Sequence, residues 1–150
     1  MSRVIKLEGS GKERKIMTRA IVLALRELML QQEVNEKTRD LAAFISLTLE
    51  NIFRNVEGSV VAWEKRGYWI KADRFRLDWE WSTNLGRLLR EAILSEDWSV
   101  VARITARIAE KLNHVDVPLR HNLGEPWIGA AKRMKNDPKI NQERDADHSP

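Results

Sequence analysis

The stretch VVAWEKRGYWIKADRFRLDWEWSTNLGRLLREAIL, residues 60–94, contains four of the six tryptophans and the only tyrosine of the chain. After Gly67 its apolar residues recur at intervals of three and four, which is the spacing of one face of an α-helix. Two such stripes run side by side, so we expect this helix to carry a wide apolar face and to be heavily buried. The first stripe is Ile70, Leu77, Trp81, Leu85, Leu88 and Ala92, interrupted by Arg74, and the second is Tyr68, Phe75, Trp79, Gly86, Leu89 and Ile93.

A chain reversal is predicted at Gly67. Lys65 and Arg66 precede this glycine, a pattern typical of a helix C-terminus, where cations face the negative end of the helix dipole. One uninterrupted helix over residues 35–94 would far exceed the length that is usual in globular proteins. We therefore predict two helices that are joined by a reversal between Arg66 and Asp73.

Two helices are predicted before this reversal. Ser10 and Glu13 have the S-x-x-E spacing of a capping box, which predicts a first helix over about residues 11–33. Asn35 is a favourable N-cap for a second helix over about residues 35–66.

The third helix, over about residues 70–94, is followed by a fourth over about 96–113, for which Ser95 is the expected cap. Residues 114–125 lack periodicity and predict an extended segment. Pro126 at a first helical position predicts a short helix over 126–135, and a flexible tail is expected over 136–150. Four helices with short connections predict an all-α, up-and-down four-helix bundle, with residues 1–135 as a single domain.

The composition narrows the classes of protein. A chain of 150 residues is of one-domain length. The absence of cysteine excludes disulfides, thiolate metal ligands and cysteine nucleophiles. The charged N-terminal residues and the lack of an apolar run of membrane-spanning length lead us to expect a cytoplasmic protein with no membrane contact.

The positive charge is concentrated in one place. The formal net charge is +4, and the segment from Lys65 to Arg76 holds five cations and one anion, so the remainder of the chain is balanced. Aromatic rings stack on unpaired bases while arginine and lysine neutralise phosphates, so this interleaving favours single-stranded RNA or DNA as a partner. The candidate contacts are Lys65, Arg66, Lys71, Arg74 and Arg76, extended on the fourth helix by Arg103, Arg107 and Lys111.

A competing interpretation of the same residues is structural. Aromatic residues at helical spacing are usually core residues, and the cations between them are then its solvated edge. Both interpretations stay open at the level of the sequence.

Catalytic patterns are sparse. No histidine or carboxylate spacing indicates a metal site, no serine lies in a nucleophile elbow, and no cofactor is predicted. Arg107 and His114, with six residues between them, resemble the R-x(4–6)-H motif of HEPN ribonucleases, in which both residues act at the RNA phosphodiester. The residue after the arginine, usually polar in that family, is Ile108 here.

The segment after the fourth helix suggests protein contacts. Leu123 and Trp127 lie outside the predicted bundle, where they either cover its core or bind another subunit. The sequence thus favours a non-catalytic accessory or interaction subunit with a basic surface that binds single-stranded nucleic acid within a larger complex. The alternatives are a protein-only oligomerisation or scaffold module and, more remotely, a HEPN-like ribonuclease.

Overall fold

The computed structural model describes residues 7–137, which form four long α-helices and one short one. The helices are α1 Leu7–Met29, α2 Glu36–Lys65, α3 Trp69–Leu94, α4 Trp98–Lys111 and α5 Ala130–Lys135. The predicted all-α bundle is confirmed. Most of the predicted tail, residues 138–150, lies outside the described residues.

α2 and α3 form an antiparallel hairpin, which confirms the predicted reversal. Gly67 has φ +82°, a left-handed conformation that favours glycine. The amides of Tyr68 and Gly67 donate to the carbonyls of Trp63 and Glu64, the two hydrogen bonds of a Schellman motif. Local sequence signals therefore decided where this hairpin turns.

α1 runs antiparallel to α2, and its start differs from the prediction. α1 begins at Leu7, so the capping box predicted at Ser10 is wrong. Ser10 is buried inside the helix, where its hydroxyl shares a 3.0 Å hydrogen bond with that of Ser59 on α2. α1 also ends earlier than predicted, at Met29. In contrast, Asn35 caps α2 as predicted, because its side-chain oxygen accepts from the amide of Thr38 at 3.0 Å.

The turn between α3 and α4 corrects a second cap. α4 begins at Trp98, and its N-cap is Asp97, whose carboxylate accepts from the amide of Val100 at 3.3 Å. Ser95, predicted to start α4, instead ends α3 by donating its hydroxyl to a carbonyl of the preceding turn. Glu96 lies between the two caps with φ 56°, so the chain needs two residues more than predicted to change direction.

Glu96 also ties this turn to α2. Its carboxylate accepts from the guanidinium of Arg39 at 3.2 Å and from the indole N–H of Trp98 at 2.8 Å. These hydrogen bonds hold the pKa of Glu96 below its ordinary value.

The difference in length between α3 and α4 leaves part of α3 uncovered. α3 has 26 residues and α4 has 14. At 1.5 Å per residue, α3 therefore extends beyond α4 by about 18 Å at its N-terminal end. Ile70, Leu77 and Leu88, in the stripe predicted to be buried, are 73%, 67% and 37% exposed, although Leu88 lies at the level that α4 reaches. That part of the prediction is wrong, whereas Leu85 and Ala92 of the same stripe are buried. Successive residues of a helix turn by about 100°, so the three exposed residues share the outward edge of the stripe, and Leu85 and Ala92 lie on its inward side.

α5 is positioned by a carboxylate of α2. The side chain of Asp40 accepts from the amides of Gly129 at 3.1 Å and Ala131 at 3.0 Å. The helix predicted to begin at Pro126 begins instead at Ala130, after a turn that ends at Gly129 with φ 82°. The partner that satisfies the first amides of α5 comes from a distant part of the chain, so no local pattern showed the start.

α2 is the central helix, because it packs against α1, α3 and α5. Its inward residues form most of the innermost core, together with residues from the other helices. The largest fully buried apolar side chains are Ile21, Leu41, Ile45, Leu49, Ile52, Val56, Val60, Leu89, Ile108 and Met134. One ion pair, between Glu50 of α2 and Arg90 of α3, lies at the edge of this core with both side chains almost buried.

Candidate nucleic-acid interface

The end of the α2–α3 hairpin exposes aromatic and apolar side chains. We call residues 65–74 the hairpin tip. Tyr68, Trp69 and Ile70 are 56%, 59% and 73% exposed, because α4 ends before it reaches this part of α3. Three consecutive large side chains are therefore presented to solvent at a tight turn.

Cations surround these side chains. Lys65, Arg66, Lys71 and Arg74 are all exposed, and within residues 7–137 none of the four forms an ion pair. The ammonium of Lys71 lies 4.8 Å from the centroid of the Trp63 ring, a cation–π contact. The structure thus brings four of the predicted cations together beside exposed rings.

An open concavity of about 820 Å³ lies beside the tip, between the end of α2 and the first turns of α3. Trp63 and Phe75, both half-buried, line it with ring centroids 4.8 Å apart in an edge-to-face arrangement. Lys71 and Arg74 also line it, with one carboxylate, that of Asp78. The concavity therefore combines aromatic rings with an excess of positive charge.

Arg76 does not belong to this cationic surface. Its guanidinium donates to the carboxylates of Glu57 and Glu64 on α2, each at 3.2 Å. The hydrogen bond and the charge of Glu57, followed by those of Glu64, raise the pKa of Arg76 above its ordinary value. Two carboxylates neutralise this cation, so it offers little to a phosphate.

The cations of α4 are exposed but lie apart from the tip. Arg103, Arg107 and Lys111 occupy the face of α4 opposite its buried residues Val101 and Ile108, as predicted. Because α4 ends about 18 Å before the start of α3, Lys111 at the end of α4 is the nearest of the three to the tip and Arg103 is the most distant. The structure therefore does not unite the two predicted cation sets in one surface.

The pair that resembles the HEPN motif lies at the C-terminal end of α4 and in the turn that follows it. Arg107 lies on the outward face of α4. His114 lies in the turn after α4 and lines a groove against Arg14 and Lys15 of α1, whereas Arg107 is not among the residues that form this groove. His114 and Arg107 therefore do not line this groove together.

The predicted partner-binding residues are turned toward their own chain. Trp127 is 3% exposed and belongs to the core, and Leu123 is half-buried against it. Of the two roles left open for this segment, covering its own bundle is the one that this placement matches. The exposed apolar side chains of the segment are Leu119 and Ile128.

The remaining aromatic residues of the α2–α3 hairpin fit neither interpretation completely. Trp63, Phe75, Trp79 and Trp81 are half-buried against the core, and Trp79 and Trp81 stack with centroids 5.9 Å apart. Only Trp69, of the four tryptophans in the hairpin, is largely exposed. These four rings therefore pack partly against the core, as the structural interpretation expects. The exposed rings that remain available for binding are those of the hairpin tip.

One contributor was missed in the sequence. Arg14 of α1 places its guanidinium 4.7 Å from the centroid of Phe75 and 5.9 Å from that of Trp79, and it donates to Asn55 at 2.9 Å. Partial burial lowers the pKa of Arg14 from its ordinary value. The run of cations on α1 was the available signal, but only tertiary packing places it against the rings of α3.

Comparison of the chain with protein-family models, curated proteins and solved structures finds no match. Within residues 7–137, no helix is long and apolar enough to cross a membrane. The same residues contain no group of three or more histidine or carboxylate side chains that could hold a metal ion.

Proposed function

We propose that this chain is a non-catalytic helical interaction subunit that binds single-stranded RNA or DNA at the hairpin tip. The observation that carries the proposal is the exposure of Tyr68 and Trp69 beside the four cations of the tip, which form no ion pair within residues 7–137. Exposed rings and unpaired cations are the two components of sequence-tolerant recognition of single strands.

The cations supply the electrostatic part of this interaction. A lysine or arginine that is already neutralised gains little from a phosphate, but Lys65, Arg66, Lys71 and Arg74 are not neutralised within the described part of the chain. Each phosphate that they contact releases counterions, so affinity falls as salt rises.

The rings favour a single strand over a duplex. A base presents its face for stacking only when it is unpaired and splayed out, and each base stacked on an aromatic side chain contributes about 1–3 kcal/mol. Trp69 is exposed at a tight turn and lines the concavity, so its ring can accept the face of an unpaired base.

The test is a titration with oligouridine and oligothymidine at several salt concentrations. We expect Trp69→Ala to lower affinity by about 1–3 kcal/mol. Arg74→Ala should lower the slope of log affinity against log salt by about 0.7. Arg87→Ala is the matched control, because Arg87 is an exposed cation of the same helix that lies away from the tip and has no ion pair among the described residues.

No binding by the wild-type chain would refute this function. So would binding that Arg74→Ala and Arg87→Ala weaken equally, because the interaction would then follow net charge and not the tip.

The second candidate is self-assembly, which the outward stripe of α3 favours. Ile70, Leu77, Trp81 and Leu88 share one face, and Ile70, Leu77 and Leu88 are 73%, 67% and 37% exposed. The four residues are spaced symmetrically about residue 79. Two antiparallel copies of α3 would therefore pair Ile70 with Leu88 and Leu77 with Trp81 in a twofold-symmetric contact.

We rank self-assembly second because of charge. Asp78 and Glu80 flank the centre of such a pairing, where the carboxylates of the two copies would approach and repel each other. Light scattering over a dilution series tests it: assembly predicts a mass that falls on dilution and a Leu77→Glu variant that is monomeric throughout. A wild-type chain that stays monomeric at every concentration would remove this candidate.

A further inference from the structure

We infer that a second basic site, in the groove between α1 and the turn after α4, binds a phosphate group of the strand that the hairpin tip holds; this inference rests on the proposed function. The groove has a volume of about 530 Å³. We call it the α1 groove, and its chemistry-bearing residues are Arg14, Lys15, Arg19, Trp79, His114 and Asp116.

Two of the three cations of the α1 groove have no acidic partner among the described residues. Within residues 7–137, Lys15 and Arg19 form no ion pair, and the Nε–H of Arg19 is buried without a hydrogen-bond acceptor. Because neither cation is neutralised, an anion that enters the groove gains charge-assisted hydrogen bonds from them at no loss of an existing ion pair.

The balance of charge also favours an anion. Arg14, Lys15 and Arg19 contribute three positive charges, and the one carboxylate in the groove is that of Asp116. Asp116 lies within ion-pairing distance of none of them in the described structure, so it reduces the positive potential without occupying the donors.

The α1 groove and the concavity of the tip are neighbours. Arg14 lies over both Phe75, which lines the tip concavity, and Trp79, which lines the α1 groove. Along α3, Trp79 follows Arg74 by five residues, about 7.5 Å. Both sites occupy the space that a longer α4 would have filled, so a strand can run from the tip past Trp79 into the groove.

The part of the nucleic-acid strand that each site contacts follows from the chemistry of its side chains. The donors of the groove are guanidinium and ammonium groups, which contact phosphate, whereas the exposed rings are at the tip. The tip therefore takes bases, and the α1 groove takes a phosphodiester several bonds further along the same strand, without reading sequence.

The experiment uses oligothymidines from about four to about sixteen nucleotides, the range of single-strand site sizes. The groove variant is Lys15→Ala with Arg19→Met, which keeps the apolar stem of residue 19. The control is Arg87→Ala with Lys132→Ala, two exposed cations outside both sites. Lys15→Ala alone is the second variant, because Lys15 is exposed and its loss should leave the fold intact.

We expect the groove variant to bind the shortest oligonucleotides like the wild type. For the longest ones it should lower the salt slope by about 0.7 for each phosphate contact removed, and the control should not. An equal loss at all lengths, or no loss at any, overturns the inference.

Inorganic phosphate separates failure of the groove from failure of the tip. If the wild type binds no oligonucleotide, the proposed function fails. The anion site in the groove is then tested separately, by the change in NMR chemical shift of the Arg19 Nε–H during a titration with inorganic phosphate. A saturable shift that Lys15→Ala weakens supports an anion site without the strand. No shift with phosphate or oligonucleotide overturns it.

Discussion

The same substitution at two helical glycines tests the close packing that positions the hairpin tip. A Cβ atom at Gly86 of α3 would lie 3.2 Å from Cβ of Leu49 and 3.6 Å from the carbonyl oxygen of Ser46, both on α2. At Gly58 of α2 a Cβ would meet nothing within 4 Å. The two sites therefore differ in whether another helix is close.

The expected free energies follow from this contrast. Alanine is favoured over glycine in a helix by about 0.8–1.0 kcal/mol, and Gly58→Ala should gain that amount in full. At Gly86 the added methyl group overpacks the contact with α2, which costs about 1–3 kcal/mol. The Ser46 carbonyl is part of the backbone and Cβ of Leu49 is bonded to it, so neither atom can move away by a change of rotamer. We therefore expect Gly86→Ala to be destabilised by about 0–2 kcal/mol, and the variants to differ by about 1–3 kcal/mol.

Urea unfolding of both variants, followed by helical circular dichroism, measures these differences. The m-values should equal that of the wild type, so that the shift in midpoint reports stability alone. If Gly86→Ala is as stabilising as Gly58→Ala, α2 and α3 do not approach at this point. The hairpin geometry that places Trp69 beyond the bundle would then be refuted.

Three further outcomes are expected. Trp127→Ala should lower the free energy of unfolding by about 3–5 kcal/mol, because the ring is 3% exposed, whereas Trp69→Ala should change it by less than about 0.5 kcal/mol in the same urea assay. Glu50→Gln leaves Arg90 buried without its partner and should cost about 3–5 kcal/mol, while Glu50→Leu combined with Arg90→Met should be nearly neutral; equal losses would contradict the buried pair. Because the pKa of Glu96 is lowered, its ionised form stabilises the fold above its ordinary pKa, and this contribution is lost as pH falls through the lowered one. Glu96→Gln should therefore have a lower Tm than the wild type at neutral pH and a smaller loss of Tm on acidification, and parallel Tm curves would contradict this.

The positions of the helices were predictable because their signals are local. Apolar spacing showed that residues 35–66 and 70–94 are helical, Asn35 marked the start of α2, and Gly67 marked the reversal. Each of these features depends on residues within a few positions of one another. The N-caps predicted at Ser10 and Ser95 were wrong because a serine is also compatible with the interior or the C-terminal end of a helix. Which of these positions it occupies depends on contacts with neighbouring helices.

The same limit applies to the candidate site. The sequence marked the cations at the tip, but it gave no sign that Glu57 and Glu64 neutralise Arg76. Nor did it show that Arg14 lies over Phe75, because these residues are far apart in the chain and meet only when α1 packs across the hairpin.

By itself, the sequence determined a helical protein with a basic, aromatic hairpin in residues 60–94, because periodicity and glycine placement act over short range. Only the tertiary structure decided which parts of that hairpin face solvent. Periodicity shows which residues share a face of α3, but the face is buried only where another helix lies against it. α4 is too short to reach the first turn of α3, where Trp69 is exposed, and the outward edge of the apolar stripe is exposed at Ile70, Leu77 and Leu88. In contrast, Trp127, from outside the four long helices, is buried.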